Sequence, residues 1–450
     1  MFLLVEEATG GTYAPVSIYV LERPFDDPGA TEHLQEVLGR LLPAMRRRIV
    51  RDRFSTALPR WVDVPGFDTE DHVVTLPAPG DGTLRAVLDW AAAWACLPMS
   101  LDRPPWRSVY FEGVTVDGVP GRMVSVGQTH HAMIDGEGGR RMAEEYLQWA
   151  PDGPLPRLPG LPAAEHVTAW DRWREGWAQE ATKAGELARH TAARFRWAAR
   201  DPRAAGRRAS QLGAAVRRMQ GHQGTTPHSP LLRKRSDRVR FDLVPVDLAA
   251  LKAGANAMGC SVNDGFMAAV SVALHRYHLD HGLRVPQLRT AMAMSTRSDG
   301  DGHTGNEVLG VMLELPLHDD AGAALKECRE VARAHKEDRD VLWLIDRFRA
   351  LANRMPKRIV TDITRKTLDG VDLQISNVQG IPARHWVAGV EVLRGGPFPV
   401  AGPSAVSMIL TSGRGVAELG LTTDPAAISD PEHLVQRLLE GFGEIAALAP

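Results

Sequence analysis

The stretch Gln128-Thr129-His130-His131-Ala132-Met133-Ile134-Asp135-Gly136-Glu137-Gly138-Gly139 decides how this chain is read. Ahead of it, Arg122 to Gln128 alternates apolar and polar residues as a strand does. Behind it, Met142, Ala143, Tyr146, Leu147 and Trp149 recur at helical spacing over 140–149. The paired histidines are therefore expected where a strand gives way to a loop. Glycines 136, 138 and 139 would leave that loop's backbone open to a ligand. An imidazole titrates near neutrality, so His131 or His130 is a candidate general base for a hydroxyl or thiol. Asp135 either braces the loop through an arginine or orients a ring nitrogen. Zinc ligation by both histidines is disfavoured, because neighbouring strand residues point to opposite faces.

Further blocks follow in order. Gly259-Cys260-Ser261-Val262-Asn263-Asp264-Gly265 precedes a helical run, Arg297 follows a strand-like segment, and Gly305-Asn306-Glu307 and Ser376-Asn377-Val378-Gln379-Gly380 come later. Together with the two histidines, three spacers, Asp and Gly, these blocks resemble the bacterial wax ester synthase/diacylglycerol acyltransferase family, within the CoA-dependent acyltransferase and condensation-domain superfamily. Coverage runs from about Val16 to the C-terminus. Three departures stand out: Pro105 where the family has leucine before Trp106, Gln379-Gly380-Ile381 in place of Pro-Gly-Pro, and Thr411-Ser412-Gly413 in place of Ser-Tyr.

The resemblance implies an α+β fold, an αβ sandwich of two acyltransferase-like halves with the active site in a channel between them. The expected boundaries are 1–150 for the motif-bearing half, 151–238 for a proline-rich linker and basic helical crossover, and 239–450 for the second half. It implies O-acyl transfer from a long-chain acyl-CoA to a fatty alcohol or diacylglycerol, giving wax ester or triacylglycerol, with acyl-CoA as co-substrate and no cofactor or metal. His131, His130, Asp135 and Asn263 are the expected catalytic group. Gly136, Trp106, Asp264, Arg297, Asn306, Ser376 and Asn377 are expected to bind substrate, although Trp106 reads equally well as packing, and Asn263 and Asp264 as helix-terminus residues. The alternatives are acyl transfer from CoA or a carrier protein to another hydroxyl or amine, and an inactive lipid-surface homologue. Plant-type acyltransferases of the superfamily are less similar, because their Asp-Phe-Gly-Trp-Gly block is missing.

Size and composition agree with this frame. The chain has 450 residues and 44% hydrophobic composition, enough for two cores. Cys96, Cys260 and Cys328 are few and far apart, which argues for buried thiols in a reducing cytosol rather than disulfides. No signal peptide or membrane span is legible, so a cytoplasmic protein, peripheral at the inner membrane or lipid bodies, is expected. The net charge of -2 conceals an asymmetry: residues 183–240 carry fifteen Lys or Arg against three Asp or Glu, the remainder 38 against 52. That segment suits an anionic membrane, the phosphates of CoA or a solvated helical face. Nucleic acid is disfavoured, because no aromatic-interleaved platform accompanies the charge.

Locally, strands are expected at 15–21, 61–64, 72–76, 109–114, 239–246, 288–295, 307–315, 372–378, 387–392, 406–410 and 416–421. Helices are expected at 30–47, 84–96, within 323–348 and at 431–448. Two long helices should run between 164 and 220, broken at Asp201-Pro202. Asp247 and Ser261 are placed as helix N-caps.

Overall fold

The computed structural model describes residues 6, 13–26, 30, 34, 37, 42–50, 59–64, 67, 72–134, 136–154, 168–221, 226–295, 308–352, 357–399 and 404–450. Two six-stranded sheets carry the fold. Strands β1 (Val16–Leu21), β2 (Arg47–Val50), β3 (Arg60–Asp63), β4 (Val73–Pro77), β5 (Trp106–Val116) and β6 (Val119–Thr129) come from the first part of the chain. In the second part follow β7 (Arg240–Val246), β8 (Gln287–Ser295), β9 (Val308–Pro316), β10 (Leu373–Gln379), β11 (Trp386–Val387), β12 (Val390–Phe398), β13 (Val406–Gly413) and β14 (Val416–Thr423). The sheet orders are β11-β12-β1-β6-β5-β4 and β7-β14-β13-β10-β8-β9, with β2 and β3 as a separate ribbon. The helices are α1 (Leu84–Ala95), α2 (Gly136–Tyr146), α3 (Ala169–Arg200), α4 (Pro202–Gly221), α5 (Leu248–Ala257), α6 (Val262–Asp280), α7 (Ala321–Glu337), α8 (Arg339–Ala352), α9 (Lys357–Asp369) and α10 (Pro431–Ala446).

The first sheet is buried on both faces. Val16, Ile18, Val20, Val109, Phe111, Val124 and Val126 face α1 and its Val87, Leu88, Ala91 and Ala92. The opposite face meets Leu21, Trp106, Tyr110, Met123, Val390 and Val392. The second sheet packs a single large cluster against α5, α6, α7 and α10. Asp247 caps α5 by accepting from Ala250 N, and Ser261 caps α6 in a reciprocal box with Asp264. The break between α3 and α4 falls at Asp201, as the proline at 202 requires.

Three expectations need correction. The second half does not keep 239–450 to itself: β12 pairs antiparallel with β1, from Val16 opposite Phe398 to Leu21 opposite Val392, so 386–398 completes the first sheet. The proposed helix over 30–47 does not continue to its end, since Pro43 opens a short 3-10 turn and Arg47–Val50 is a strand. Arg46 and Arg47 then pair with Asp63 on β3 at 3.0 and 3.3 Å. Finally, α2 begins at Gly136, so glycines 136, 138 and 139 form its first turn instead of an open loop, and Trp149 lies beyond its end.

No single described helix is long and apolar enough to cross a membrane. The apolar pair α5 and α6 is bent by 96°, and α6 lies inside the second core.

Candidate active site

β6 delivers the two histidines. It is held between β1 and β5, and its residue Gln128 anchors the strand end. Fully buried, Gln128 donates to the carbonyls of Ala14 and Ala95 at 3.2 and 3.3 Å and accepts twice from the Arg107 guanidinium, at 2.9 and 2.7 Å. Arg107 in turn lies 4.3 Å over the Trp94 ring. A buried amide with its oxygen and nitrogen both satisfied fixes where the strand stops.

The two rings then part company. His130 is wholly buried, and its Nδ1 accepts the Ala132 N–H at 3.0 Å. In the neutral ring that places the proton on Nε2, which stands 3.0 Å from the Glu6 carboxylate without the alignment of a hydrogen bond. Glu6 also accepts the Tyr13 N–H at 2.6 Å. His131 is half-buried and its backbone N–H donates to Tyr13 O at 2.9 Å. Its Nδ1 lies 3.2 Å from Ile134 O. A carbonyl can only accept, so Nδ1 carries the hydrogen and the neutral ring has its lone pair on Nε2. The Tyr13 ring stacks on the His131 ring with centroids 5.6 Å apart. Burial pushes the Tyr13 phenol up to about 12, so it remains neutral beside the histidine.

Behind the histidine turn lies a small cavity whose lining is apolar apart from Thr129: Leu42, Ala44, Met45, Met133, Ile134 and Met142. Met side chains adapt their shape readily to an apolar guest. Trp106, at the mouth of β5, is 3% exposed, packs on His72 with centroids 4.7 Å apart and donates its indole N–H to Met45 O at 2.6 Å. It is thus a wall of the core behind the cavity.

α2 packs beside β10, which brings Ser376 and Asn377 to the seam where the first half meets the second. Ile381, in the turn that departs from the family pattern, packs against the cluster containing Met133 and Ile134. Beyond it, Asn377, Gln379, Ser412, Arg414 and Leu248 border a largely polar open cavity of about 530 Å³. The Arg414 guanidinium donates to the carbonyls of Val392, at 2.7 Å, and Leu393, and so ties the β13–β14 turn to β12.

Asn263 is half-buried in the first turn of α6, where Nδ2 makes only a weak contact with Met267 Sδ at 3.6 Å. Asp264 is occupied: its carboxylate accepts from Ser261 N and Oγ, both at 2.8 Å, which makes it a helix cap rather than a ligand for substrate. Asp135, Arg297 and Asn306 lie outside the described residues. Glu6, Tyr13 and the Ile134 carbonyl were not singled out in the sequence. Nothing in the local pattern marks them, because their roles arise from a segment more than 110 residues upstream and from a backbone atom.

Comparison with known proteins now bears on this geometry. Residues 17–266 match the family model described as the wax ester synthase/diacylglycerol acyltransferase catalytic domain, and residues 304–446 match the corresponding C-terminal domain. The chain belongs to the wax ester synthase/diacylglycerol acyltransferase family. A putative diacylglycerol O-acyltransferase of Mycobacterium tuberculosis is 30% identical over 428 residues, covering 92% of this chain and 84% of the relative. A second, described as a probable diacylglycerol O-acyltransferase of the same organism, is 23% identical over 432 residues, covering 90% and 88%. Among solved structures, the wax ester synthase/diacylglycerol acyltransferase from Marinobacter aquaeolei VT8 superposes with a TM-score of 0.64 at 20% identity, covering 100% of this chain and 97% of that one. The first condensation domain of the calcium-dependent antibiotic synthetase gives 0.59 at 16% identity, covering 99% and 95%. These likenesses establish the two-half α+β architecture that the motif order implied.

Proposed function

We propose that this member of the family transfers a long-chain acyl group from acyl-CoA to the hydroxyl of a lipid acceptor, with diacylglycerol first and fatty alcohol second. The observation that carries the proposal is the His131 ring, whose Nδ1 proton is committed to Ile134 O while Nε2 keeps the lone pair a general base needs. His131 Nε2 takes the acceptor's hydroxyl proton and the oxygen attacks the thioester carbonyl. The tetrahedral oxyanion collapses, the C–S bond breaks, and the imidazolium returns its proton to the departing thiolate. No acyl-enzyme is needed, since the thioester already carries a good leaving group. His130, locked in the opposite tautomer beside Glu6, positions the turn. Asn263, with only a weak partner of its own, is the proposed donor to the oxyanion, and Ser376 and Asn377 border the substrate channel. Asp135 is assigned to holding the loop, Gly136 to clearance for the pantetheine arm, and Arg297 and Asn306 to the channel floor.

The relatives' names support diacylglycerol as acceptor. Because both substrates and the product are lipids, we also propose peripheral contact with an anionic lipid surface.

The test is CoA release by purified protein from palmitoyl-CoA with dioleoylglycerol, with hexadecanol or with no acceptor, and product identification by mass spectrometry. Acceptor-dependent release with triacylglycerol as product is expected. Release that neither acceptor stimulates would defeat the reading.

A further inference from the structure

α3 has a face that the other described residues leave uncovered. Trp170, Trp173, Trp177, Ala181, Ala184, Ala188, Ala192, Phe195 and Ala199 are all exposed. Their spacings alternate between three and four residues, so at 100° per residue they fall on one stripe along a helix of 32 residues. Trp170 is 65% exposed, Trp177 60% and Phe195 72%. Such exposure is out of line with a helix that spends its apolar face on a core. Trp170 and Trp173 stack on each other at 5.0 Å, with Trp177 edge-on to Trp173 at 6.1 Å, so the aromatic rings form one platform at the helix start.

One flank of that stripe is basic. Arg174, Arg189, Arg196 and Arg200 project along it and are exposed. From 169 to 221, across α3 and α4, there are twelve Lys or Arg against five Asp or Glu. The two helices are held to α8 mainly through α4: Arg208 of α4 pairs with Asp340 at 2.5 Å and Arg218 of α4 with Asp338, just ahead of α8, at 2.7 Å, while from α3 Arg194 lies over the Trp343 ring. α3 itself is exposed at nearly all of its described residues, and the stripe gathers most of its apolar ones on one bare face.

We propose that this bare face of α3 is the surface by which the protein lies on an anionic phospholipid layer, a reading that rests on the lipid contact proposed above and names the residues that make it. Tryptophan settles at the boundary between headgroup and acyl chain, where its ring is apolar and its N–H is wet. The alanines permit the helix axis to lie close to the headgroups, and the flanking arginines meet the phosphates. A second copy is a poorer occupant, because two such faces would bring two net-basic hairpins together.

The experiment is cosedimentation of the full chain with vesicles of phosphatidylcholine containing phosphatidylglycerol, beside vesicles of phosphatidylcholine alone. Wild type is expected to bind the first at least ten-fold more tightly and to be released by 0.5 M salt. The triple variant Trp170→Ala, Trp173→Ala, Trp177→Ala is expected to lose that binding ten-fold or more with an unchanged circular dichroism spectrum. A second variant, Ala184→Glu with Ala188→Glu, tests the alanine part of the stripe and is expected to bind as poorly. Triple-variant binding equal to wild type, no wild-type binding to either vesicle, or a wild-type dimer that the triple variant dissolves would each overturn the proposal. Turnover on detergent-dispersed substrate is measured alongside and should match in wild type and triple variant. If wild type binds vesicles yet shows no transfer, the functional reading fails while the docking face stands.

Discussion

The two sheets have six strands each and are built in opposite ways. The second half is a self-contained block: β7 to β10, β13 and β14 on one side, α5, α6, α7 and α10 on the other, with one continuous cluster between them. Close packing there is backbone on backbone, since a Cβ on Gly254 would come 1.8 Å from Ile445 O and one on Gly441 2.4 Å from Ala269 O. The first half has two thinner clusters, one on each face. It borrows Phe241 and Phe398 for one and Val387, Val390 and Val392 for the other. The half that carries His131, the proposed base, is thus the half that cannot close without its neighbour. The proposed site sits at a seam, where the fold is completed from elsewhere in the chain.

If that contrast is right, damage to β12 should affect stability and turnover together, whereas damage inside the second block should affect stability first. The largest effect is expected at Gly395, whose φ of +138° and whose Cβ position 2.2 Å from Ile18 O admit no side chain. Gly395→Val should cost more than about 3 kcal/mol in chemical denaturation and abolish activity, because it separates β12 from β1. Gly254→Ala should cost roughly 2–3 kcal/mol through overpacking of α5 on α10, while the folded fraction keeps wild-type turnover. Next comes Arg414→Ala, which deletes the tie from the β13–β14 turn to β12. A loss of about 2 kcal/mol and a raised KM are expected, since the same turn borders the polar cavity.

The smallest effect concerns pH. Burial lowers the folded-state pKa of His278 and of His385 below the ordinary histidine value. Both are therefore held neutral in the fold, whereas the unfolded chain takes up protons near 6.5. Their contribution is fully present above that value and is lost as pH falls through it towards the lower folded pKa. Denaturation at pH 7.5 and 5.5 should show lower stability at 5.5, and the slope should become shallower in His278→Gln.

Much of this arrangement was legible before the structure. β1, α1, β7, β8, β10 and α10 fall within a few residues of expectation because each has an apolar period and a clean boundary, and α5 and α6 begin at the expected caps Asp247 and Ser261. The misplaced elements have identifiable causes. Apolar spacing over 34–42 suggested a long helix, yet Pro43 stops it and the arginines behind it join a strand. Glycines 136, 138 and 139 looked like open loop, but in the structure they begin a helix. Strand β12 was legible as a strand and not as a member of the first sheet, because its pairing with β1 joins residues about as far apart as the chain allows. At the site, the histidine pair was visible and its tautomers were not: they follow from Ala132 N–H and Ile134 O, two backbone groups whose directions appear only when the turn is built.

The central claim is that His131 is the base and His130 its support, and single-turnover CoA release with saturating palmitoyl-CoA and acceptor tests it most directly. His131→Ala should reduce the rate by about 10³-fold with the fold and thermal transition unchanged, the scale of a lost general base. His131→Ala retaining a rate within ten-fold of wild type, in a protein that remains folded, would contradict the account.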